Sequence, residues 1–286
     1  MEIVDLTTEH PARRALAELA DHSDEQMDVV AGALLIAAED LDLEAPDLEA
    51  YMEQLEDLGN RAKAMLPKDP EPADRIAALH NLLFHEKGFS GERKDTDDPS
   101  LVLLPRVLER CRGLPISLAV VYVAVARRCG LKAVGVAFPG HFLVRCDLEE
   151  GIVLVDPFNG GRTLDILDCR KLLAETSGSE AEFDPSLLQP ASPRVVLTRI
   201  LSNLRATYLR RSDEARALRA HERMVLLNPR STSLIRGRAA LYLRLGRADR
   251  AVSDLERVLS LSPPPEEEVE VRRELARLRS DGRWVN

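Results

Sequence analysis

The chain has 286 residues, of which 45% are hydrophobic and 30% are charged, and its net charge is −9. This length is enough for one large or two modest domains with their own cores, and the composition excludes a disordered chain. No apolar run approaches the ~20 residues of a membrane span, and the acidic N-terminus lacks the apolar segment of a signal peptide. We therefore expect a cytoplasmic protein that makes no use of a membrane.

The four cysteines, Cys111, Cys129, Cys146 and Cys169, are scattered and form no C-x-x-C pair. This spacing fits neither a zinc site nor a disulfide framework. We expect buried, reduced thiols at Cys129 and Cys146, because both lie in apolar segments. The sequence predicts no metal site and no cofactor.

Charge is unevenly distributed along the chain. From Arg194 to the end there are 20 arginines and 12 acidic residues, which gives this part a charge of +8 and leaves −17 for the rest. Opposite charges of this kind favour either docking of the two parts on each other or an acidic partner for the basic part. Nucleic acid is the weaker reading, because the chain has no recognised nucleic-acid motif and few aromatic residues for stacking.

The N-terminal third predicts helices. Residues 11–43 read as two helices, the second with Ser23 as its N-cap, and a third is expected from Pro46 to Ala62. A proline-rich connector at 67–72 ends this helix, and another apolar-periodic segment follows it at 73–89. These helices lead into the segment that organises the chain.

The central segment, 111–164, combines one apolar helix with a small set of strands. A helix nearly apolar all round is predicted from about Pro115 to Cys129, and such a helix belongs inside a domain. Strands are expected near Lys132–Phe138, His141–Cys146 and Ile152–Asp156, where β-branched and aromatic residues alternate with smaller ones.

Three motifs in this segment carry a family resemblance: G-L-P-I-S-L-A at 113–119, F-P-G-H-F-L-V at 138–144 and V-D-P-F-N-G-G at 155–161. The segment from about 30 to 175 resembles the transglutaminase-like (papain-like) superfamily, in particular its SirB1 N-terminal-type branch, whose members look bacterial. The resemblance implies an α+β core in which a central helix packs on a small antiparallel sheet.

The resemblance also assigns positions to a catalytic triad. In catalytic relatives a cysteine begins the central helix, a histidine lies on the next strand and an aspartate on the strand after. The corresponding positions here are Pro115, His141 and Asp156, and proline has no nucleophilic atom. We therefore expect a non-catalytic protein in which His141 and Asp156 form a buried pair that supports the sheet, beside a cleft with Phe142 that binds without reacting.

A displaced nucleophile is the alternative. Ser117 lies half a turn further along the helix, and Cys111 lies before the turn at Gly113. If either reached the imidazole of His141, with Asp156 orienting that ring, the protein would be a serine or cysteine hydrolase or transferase.

The C-terminal third contains an internal repeat of 34 residues. Between Tyr208 and Pro229, nine of 22 positions are identical to those 34 residues later, including Tyr208 with Tyr242 and Ala217 with Ala251. This period resembles a tetratricopeptide repeat, with helices expected near 195–211, 213–227, 231–245, 247–261 and 266–279. The resemblance implies a protein or peptide partner, for which Tyr208 and Tyr242 are candidate binding residues.

Together these observations predict a mostly helical α+β protein in two parts. Residues 1–180 form the helical N-terminal region and the transglutaminase-like core, and residues 195–286 form the helical repeats, with a Ser- and Pro-rich linker between them. The predicted function is a non-catalytic scaffold for protein interaction. The oligomeric state does not follow from the sequence.

Overall fold

The computed structural model describes residues 10–149 and 151–280 of the chain. The chain divides into two compact units, one up to Ile200 and one from Leu201 onward. Because each unit has its own buried core, each is described by itself.

The first unit begins with five helices, which are α1 (Pro11–Ala20), α2 (Val29–Leu41), α3 (Ala45–Ala64), α4 (Pro72–His80) and α5 (Leu104–Arg110). The predicted N-cap of the second helix was wrong: α2 is capped by Asp28, whose carboxylate accepts from the N–H groups of Val30 and Ala31. Ser23 instead opens a turn, since its carbonyl accepts from the N–H groups of Gln26 and Met27. Both residue types cap helices well, so residue type alone does not distinguish the two possible starts.

A π-helical turn at Asn81–Glu86 continues from α4, where the sequence predicts a single helix. Phe84 in this turn and His80 at the end of α4 pack against Tyr122, with ring centroids 6.3 and 5.9 Å from that of the tyrosine. Gly161 is needed opposite them, because a Cβ there would lie 2.3 Å from the Phe84 ring. Wider π-type turns are rare and often mark functional sites.

The central helix, α6 (Pro115–Arg128), is buried along nearly its whole length. Pro115 occupies the first turn, where its missing N–H costs no helical hydrogen bond. Gly130, with φ of +77°, follows the end of the helix. Fully buried residues on successive turns, among them Ile116, Tyr122 and Val125, explain why α6 forms the centre of the unit.

Two small sheets surround this helix, built from β1 (Ser90–Gly91), β2 (Arg112–Gly113), β3 (Lys132–Val136), β4 (Leu143–Leu148), β5 (Gly151–Asp156) and β6 (Arg162–Leu164). Strands β1 and β2 pair in parallel. The other four form an antiparallel sheet in the order β3-β4-β5-β6, in which Val144 pairs with Val155. Helix α6 packs against β3 and β4, which confirms the predicted central helix on a small antiparallel sheet.

The remaining helices are α7 (Ile166–Ser177), α8 (Pro193–Arg210), α9 (Glu214–Leu227), α10 (Thr232–Arg244), α11 (Ala248–Ser260) and α12 (Pro265–Ser280). Helices α9 to α12 belong to the second unit, and the boundary between the units falls within α8. Ala217 and Ala251, the small residues repeated at 34-residue spacing, are fully buried in this unit. The observed helices lie within two residues of those predicted from the repeat, and the predicted mostly helical α+β class is confirmed.

Candidate functional site

His141 and Asp156 meet at the edge of the four-stranded sheet. Asp156 is the last residue of β5, and His141 lies in the turn that precedes β4. Because these strands are antiparallel neighbours, their ends bring the side chains together, and His141 Nε2 lies 3.0 Å from Asp156 Oδ1. Both residues are buried, with 7% and 2% of their surfaces exposed.

Asp156 has hydrogen bonds to both of its carboxylate oxygens. Besides His141, Oδ1 accepts from the backbone N–H groups of Phe158 and Asn159, at 3.1 and 3.3 Å. The Asn159 amide donates to Oδ2 at 2.6 Å. Burial by itself raises the pKa of this carboxyl, but the hydrogen bond and charge of His141, with the bonds from Asn159, outweigh it and lower the pKa below its usual value of 3.8. Asp156 is therefore ionised at neutral pH.

The His141 ring packs edge-on against the ring of Phe158, with centroids 5.8 Å apart. Arg93 lies over the same phenylalanine, 5.3 Å from its centroid, and hydrogen-bonds the side chain of Asn159. The Nδ1 atom of His141 has no hydrogen-bond partner among the described residues. The pair is thus fixed from the Nε2 side and open at Nδ1.

Ser117 is committed to the start of α6. Its hydroxyl donates to the carbonyl oxygen of Leu101 at 2.6 Å and accepts from the N–H of Leu114 at 3.0 Å. The residue is 2% exposed. The structure forms no hydrogen bond between Ser117 and His141, and at position 115 the helix begins with a proline ring.

Cys111 ends α5 in a left-handed conformation, with φ of 52°. Its thiol lies 3.8 Å from the carbonyl oxygen of Leu108, one turn back. Burial raises the pKa of this thiol, and the positive charges of Lys87 and Arg112 offset the rise only in part. Because the thiolate is the reactive form of cysteine, this environment does not activate Cys111.

Phe142 lies next to His141 in the sequence but lines a different part of the unit. Its ring is 2% exposed and packs on Gly135 of β3, where a Cβ would lie 2.7 Å from the ring. It lines an apolar cavity whose walls, among the described residues, include neither Pro115 nor His141. The structure therefore separates Phe142 from the other two residues of the predicted cleft.

The two repeat tyrosines are buried in the second unit, at 2% exposed for Tyr208 and 8% for Tyr242. The Tyr242 hydroxyl donates to Glu222 at 3.0 Å, and Arg238 lies 5.8 Å from the centre of its ring. Burial, with the negative charge of Glu222, raises the pKa of Tyr242 to about 12. Both rings therefore have little exposed surface for a partner.

Sequence reasoning missed three residues around the histidine: Arg93, Phe158 and Asn159. Asn159 had a signal, because an asparagine three residues after Asp156 in D-P-F-N is typical of a turn in which the aspartate accepts backbone N–H groups. Arg93 had none, since it lies in a polar loop 66 residues before Asn159.

The structure also bears on metals and membranes. Within residues 10–149 and 151–280, no three His, Cys, Asp or Glu side chains come together as a candidate metal site. None of the helices described is long and apolar enough to cross a membrane.

Comparison with known proteins finds similarity along most of the chain. The profile of the transglutaminase-like superfamily matches residues 49–202, and that of the tetratricopeptide repeat matches residues 204–280. A UPF0162 protein of Xylella fastidiosa is 39% identical over 86% of this chain and 88% of its own length. A UPF0162 protein of Pseudomonas aeruginosa is 35% identical over 86% of this chain and 89% of its own length. Protein SirB1 of Salmonella typhimurium is 27% identical, over 80% and 85%. These matches confirm the resemblance read from the motifs.

Proposed function

Because this chain belongs to the transglutaminase-like superfamily, we propose that it is a non-catalytic member of it that acts as a scaffold for protein interaction through its tetratricopeptide repeats. The observation that carries the proposal is the start of α6. A proline stands where catalytic relatives place the nucleophile, and the first hydroxyl along the helix, that of Ser117, is hydrogen-bonded to Leu101.

In this proposal His141 and Asp156 have a structural role. A nucleophile must lie within hydrogen-bond reach of its base, and His141 has no such neighbour among the described residues. Asp156 joins the end of β5 to the turn that follows and to the histidine before β4. The pair therefore holds two strand ends together, which is consistent with the burial of both side chains.

We place the interaction surface on the repeats, and the charge distribution favours an acidic partner. Arg273 and Arg277 are exposed on successive turns of α12, and neither has an acidic partner among the described residues. On the same helix, Arg272 and Arg279 bind Glu268 and Glu256. Unpaired arginines at this spacing are suited to carboxylates of another protein.

The test is a quantitative pull-down with the full chain from an extract of the source cells, followed by a binding measurement with the purified captured protein. Arg273→Gln/Arg277→Gln should weaken binding at least tenfold, whereas the matched double variant Arg272→Gln/Arg279→Gln, with the same loss of charge, should change it little. His141→Ala should bind normally. Equal binding by both double variants would contradict the proposal.

One observation favours a second candidate, a hydrolase or transferase with a displaced nucleophile. The Nδ1 atom of His141 has no partner, as in a base whose nucleophile has yet to approach. Labelling by a thiol- or serine-reactive probe, abolished in Cys111→Ala or Ser117→Ala and in His141→Ala, would favour this candidate over the first.

A further inference from the structure

An apolar cavity of about 280 Å³ lies within the first unit, between helices α2, α3 and α6 and strand β3. Small side chains leave this space open: Ala119 and Ala124 on α6, Gly135 on β3 and Ala191 before α8 all lie on its walls. The space opens to solvent on one side, where the exposed residues Met52 and Arg127 lie on its walls, and concave apolar sites of this size are typical of small-molecule binding.

The walls of the cavity are held in place by packing. Phe142 rests directly on Gly135, and a methyl group at that position would come within 2.7 Å of the ring. Leu55 of α3 and Val120 of α6, both 4% exposed, form another part of the lining. These groups have no hydrogen bonds to offer, so the interior is suited to hydrocarbon.

Four charged side chains stand at the cavity, and three of them already have counterparts. Glu56 and Arg128 form an ion pair, and Asp28 accepts from two N–H groups of the first turn of α2, at 2.7 and 3.0 Å. Arg127 donates from Nε to the carbonyl oxygen of Ala133 at 3.1 Å. Its terminal nitrogens have no acidic partner among the described residues, so Arg127 is the cation on the walls of this space that has no carboxylate counterpart there.

We propose that this cavity binds a free straight-chain monocarboxylate, with the alkyl chain inside and the carboxylate on the terminal nitrogens of Arg127. A cavity of about 150 Å³ holds benzene, so the observed volume holds a chain of roughly ten carbons. Arginine binds carboxylates through two parallel N–H donors, and the exposed position of Arg127 leaves those donors accessible.

The first experiment measures binding of decanoate to the full chain by calorimetry and thermal denaturation, below the concentration at which decanoate forms micelles. We expect saturable binding and a rise in Tm. Each methylene removed from the chain should weaken binding by about fourfold, so hexanoate should bind far more weakly. Decanol should bind about tenfold more weakly than decanoate, because it lacks the charge. No saturable binding of decanoate would overturn the proposal.

Two variants separate the cavity from the cation. Ala124→Trp fills the space and should abolish binding of both decanoate and decanol. Should this variant fail to fold, Val123→Phe, which adds less volume, takes its place. Arg127→Gln should lose about tenfold for decanoate and nothing for decanol. The control is Arg112→Gln, another exposed arginine that donates to a backbone carbonyl, and it should leave both affinities unchanged. The assignment would be contradicted if decanoate still bound to Ala124→Trp, or if Arg127→Gln left the affinity for decanoate unchanged.

Discussion

The hydroxyl of Ser117 donates a hydrogen bond of 2.6 Å to the carbonyl oxygen of Leu101, which lies 16 residues earlier in the chain. This bond joins the first turn of α6 to a short 3-10 turn at Pro99–Leu101. The hydroxyl oxygen of Ser117 in turn accepts from the N–H of Leu114, the N-cap of α6, at 3.0 Å. The serine that would be the most convenient substitute nucleophile is thus part of the framework that positions the helix.

We expect Ser117→Ala to destabilise the protein by about 1 kcal/mol, because it removes the hydrogen bonds of a buried hydroxyl, while the N–H of Leu114 still donates to the carbonyl oxygen of Leu101 at 3.0 Å. Urea unfolding of the full chain measures this change. Ser179→Ala is the control, since Ser179 is exposed, and it should change the free energy of unfolding by less than about 0.5 kcal/mol. If Ser117→Ala changed the free energy of unfolding as little as Ser179→Ala does, Ser117 would be dispensable to the fold.

The second prediction concerns Asp156. Its pKa is lower in the folded chain than in the unfolded chain, so the folded state is stabilised above the unfolded pKa of about 4 and loses that stabilisation as the pH falls through the folded value. Asp156→Asn should remove this part of the acid dependence and destabilise the protein at pH 7 by about 3 kcal/mol. Urea unfolding of wild type and Asp156→Asn between pH 2 and pH 7 measures both the acid dependence and the loss of stability at pH 7.

Asp147→Asn is the matched control for that experiment. Asp147 lies on β4 of the same sheet, but it is partly exposed and pairs with Arg145 at 2.7 Å. The expected loss is below about 1 kcal/mol. Equal losses for Asp147→Asn and Asp156→Asn would contradict a structural role for the buried pair.

The third prediction concerns His221 in the repeats, which is 1% exposed. Its Nε2 donates to the carbonyl oxygen of Leu234 at 2.7 Å, and its Nδ1 faces the guanidinium of Arg205 at 3.2 Å. Burial and the positive charges of Arg205 and Arg238 lower the pKa of His221 from 6.5 to about 4.

As the pH falls, His221 is therefore protonated near pH 6.5 in the unfolded chain but only near pH 4 in the folded chain. The free energy of unfolding should decrease by at most about 3 kcal/mol as the pH falls from 6.5 to 4. Above pH 6.5 this contribution is fully retained. His221→Gln should flatten the pH dependence of unfolding between pH 4 and 6.5, while His85→Gln, at an exposed position, should leave the dependence as it is. An unchanged slope in His221→Gln would contradict this assignment.

The fourth prediction tests the packing beside His141. A Cβ at Gly91 would lie 2.4 Å from the ring of Phe158, so Gly91→Ala should destabilise the protein by about 1–3 kcal/mol. Phe158→Leu should relieve the clash, and the double variant should therefore be more stable than the sum of the two single changes predicts. If the free-energy changes of the two single variants, measured by urea unfolding, added up to that of the double variant, the two residues would not be in steric contact.

Much of the fold could be predicted from the sequence where the signal is repeated or continuous. The 34-residue period predicts a helix over 231–245, and the structure has α10 at Thr232–Arg244. The apolar run after Pro115 likewise predicts α6. The choice between Ser23 and Asp28 as a cap could not be made from the sequence, because serine and aspartate both accept hydrogen bonds from the N–H groups of a first helical turn.

The site was only partly predictable, for a related reason. His141 lies just before β4 and Asp156 ends β5, and the antiparallel pairing of these two strands brings the residues together. The contacts of Arg93 and Ser117 depend instead on loops that are distant in sequence and carry no periodic pattern. Burial of Tyr208 and Tyr242 was hidden too, because a repeated tyrosine serves packing and binding equally well at the level of sequence.

Mass spectrometry with peptide mapping of the full chain, after treatment with iodoacetamide or a fluorophosphonate at neutral pH, shows directly whether His141 activates a nucleophile. We expect Ser117 to remain unmodified and Cys111 to react no faster than a cysteine in an unstructured peptide, in wild type and in His141→Ala alike. Rapid stoichiometric modification of either residue that disappears in His141→Ala would show that the protein is not inert, because it would reveal a nucleophile activated by that histidine.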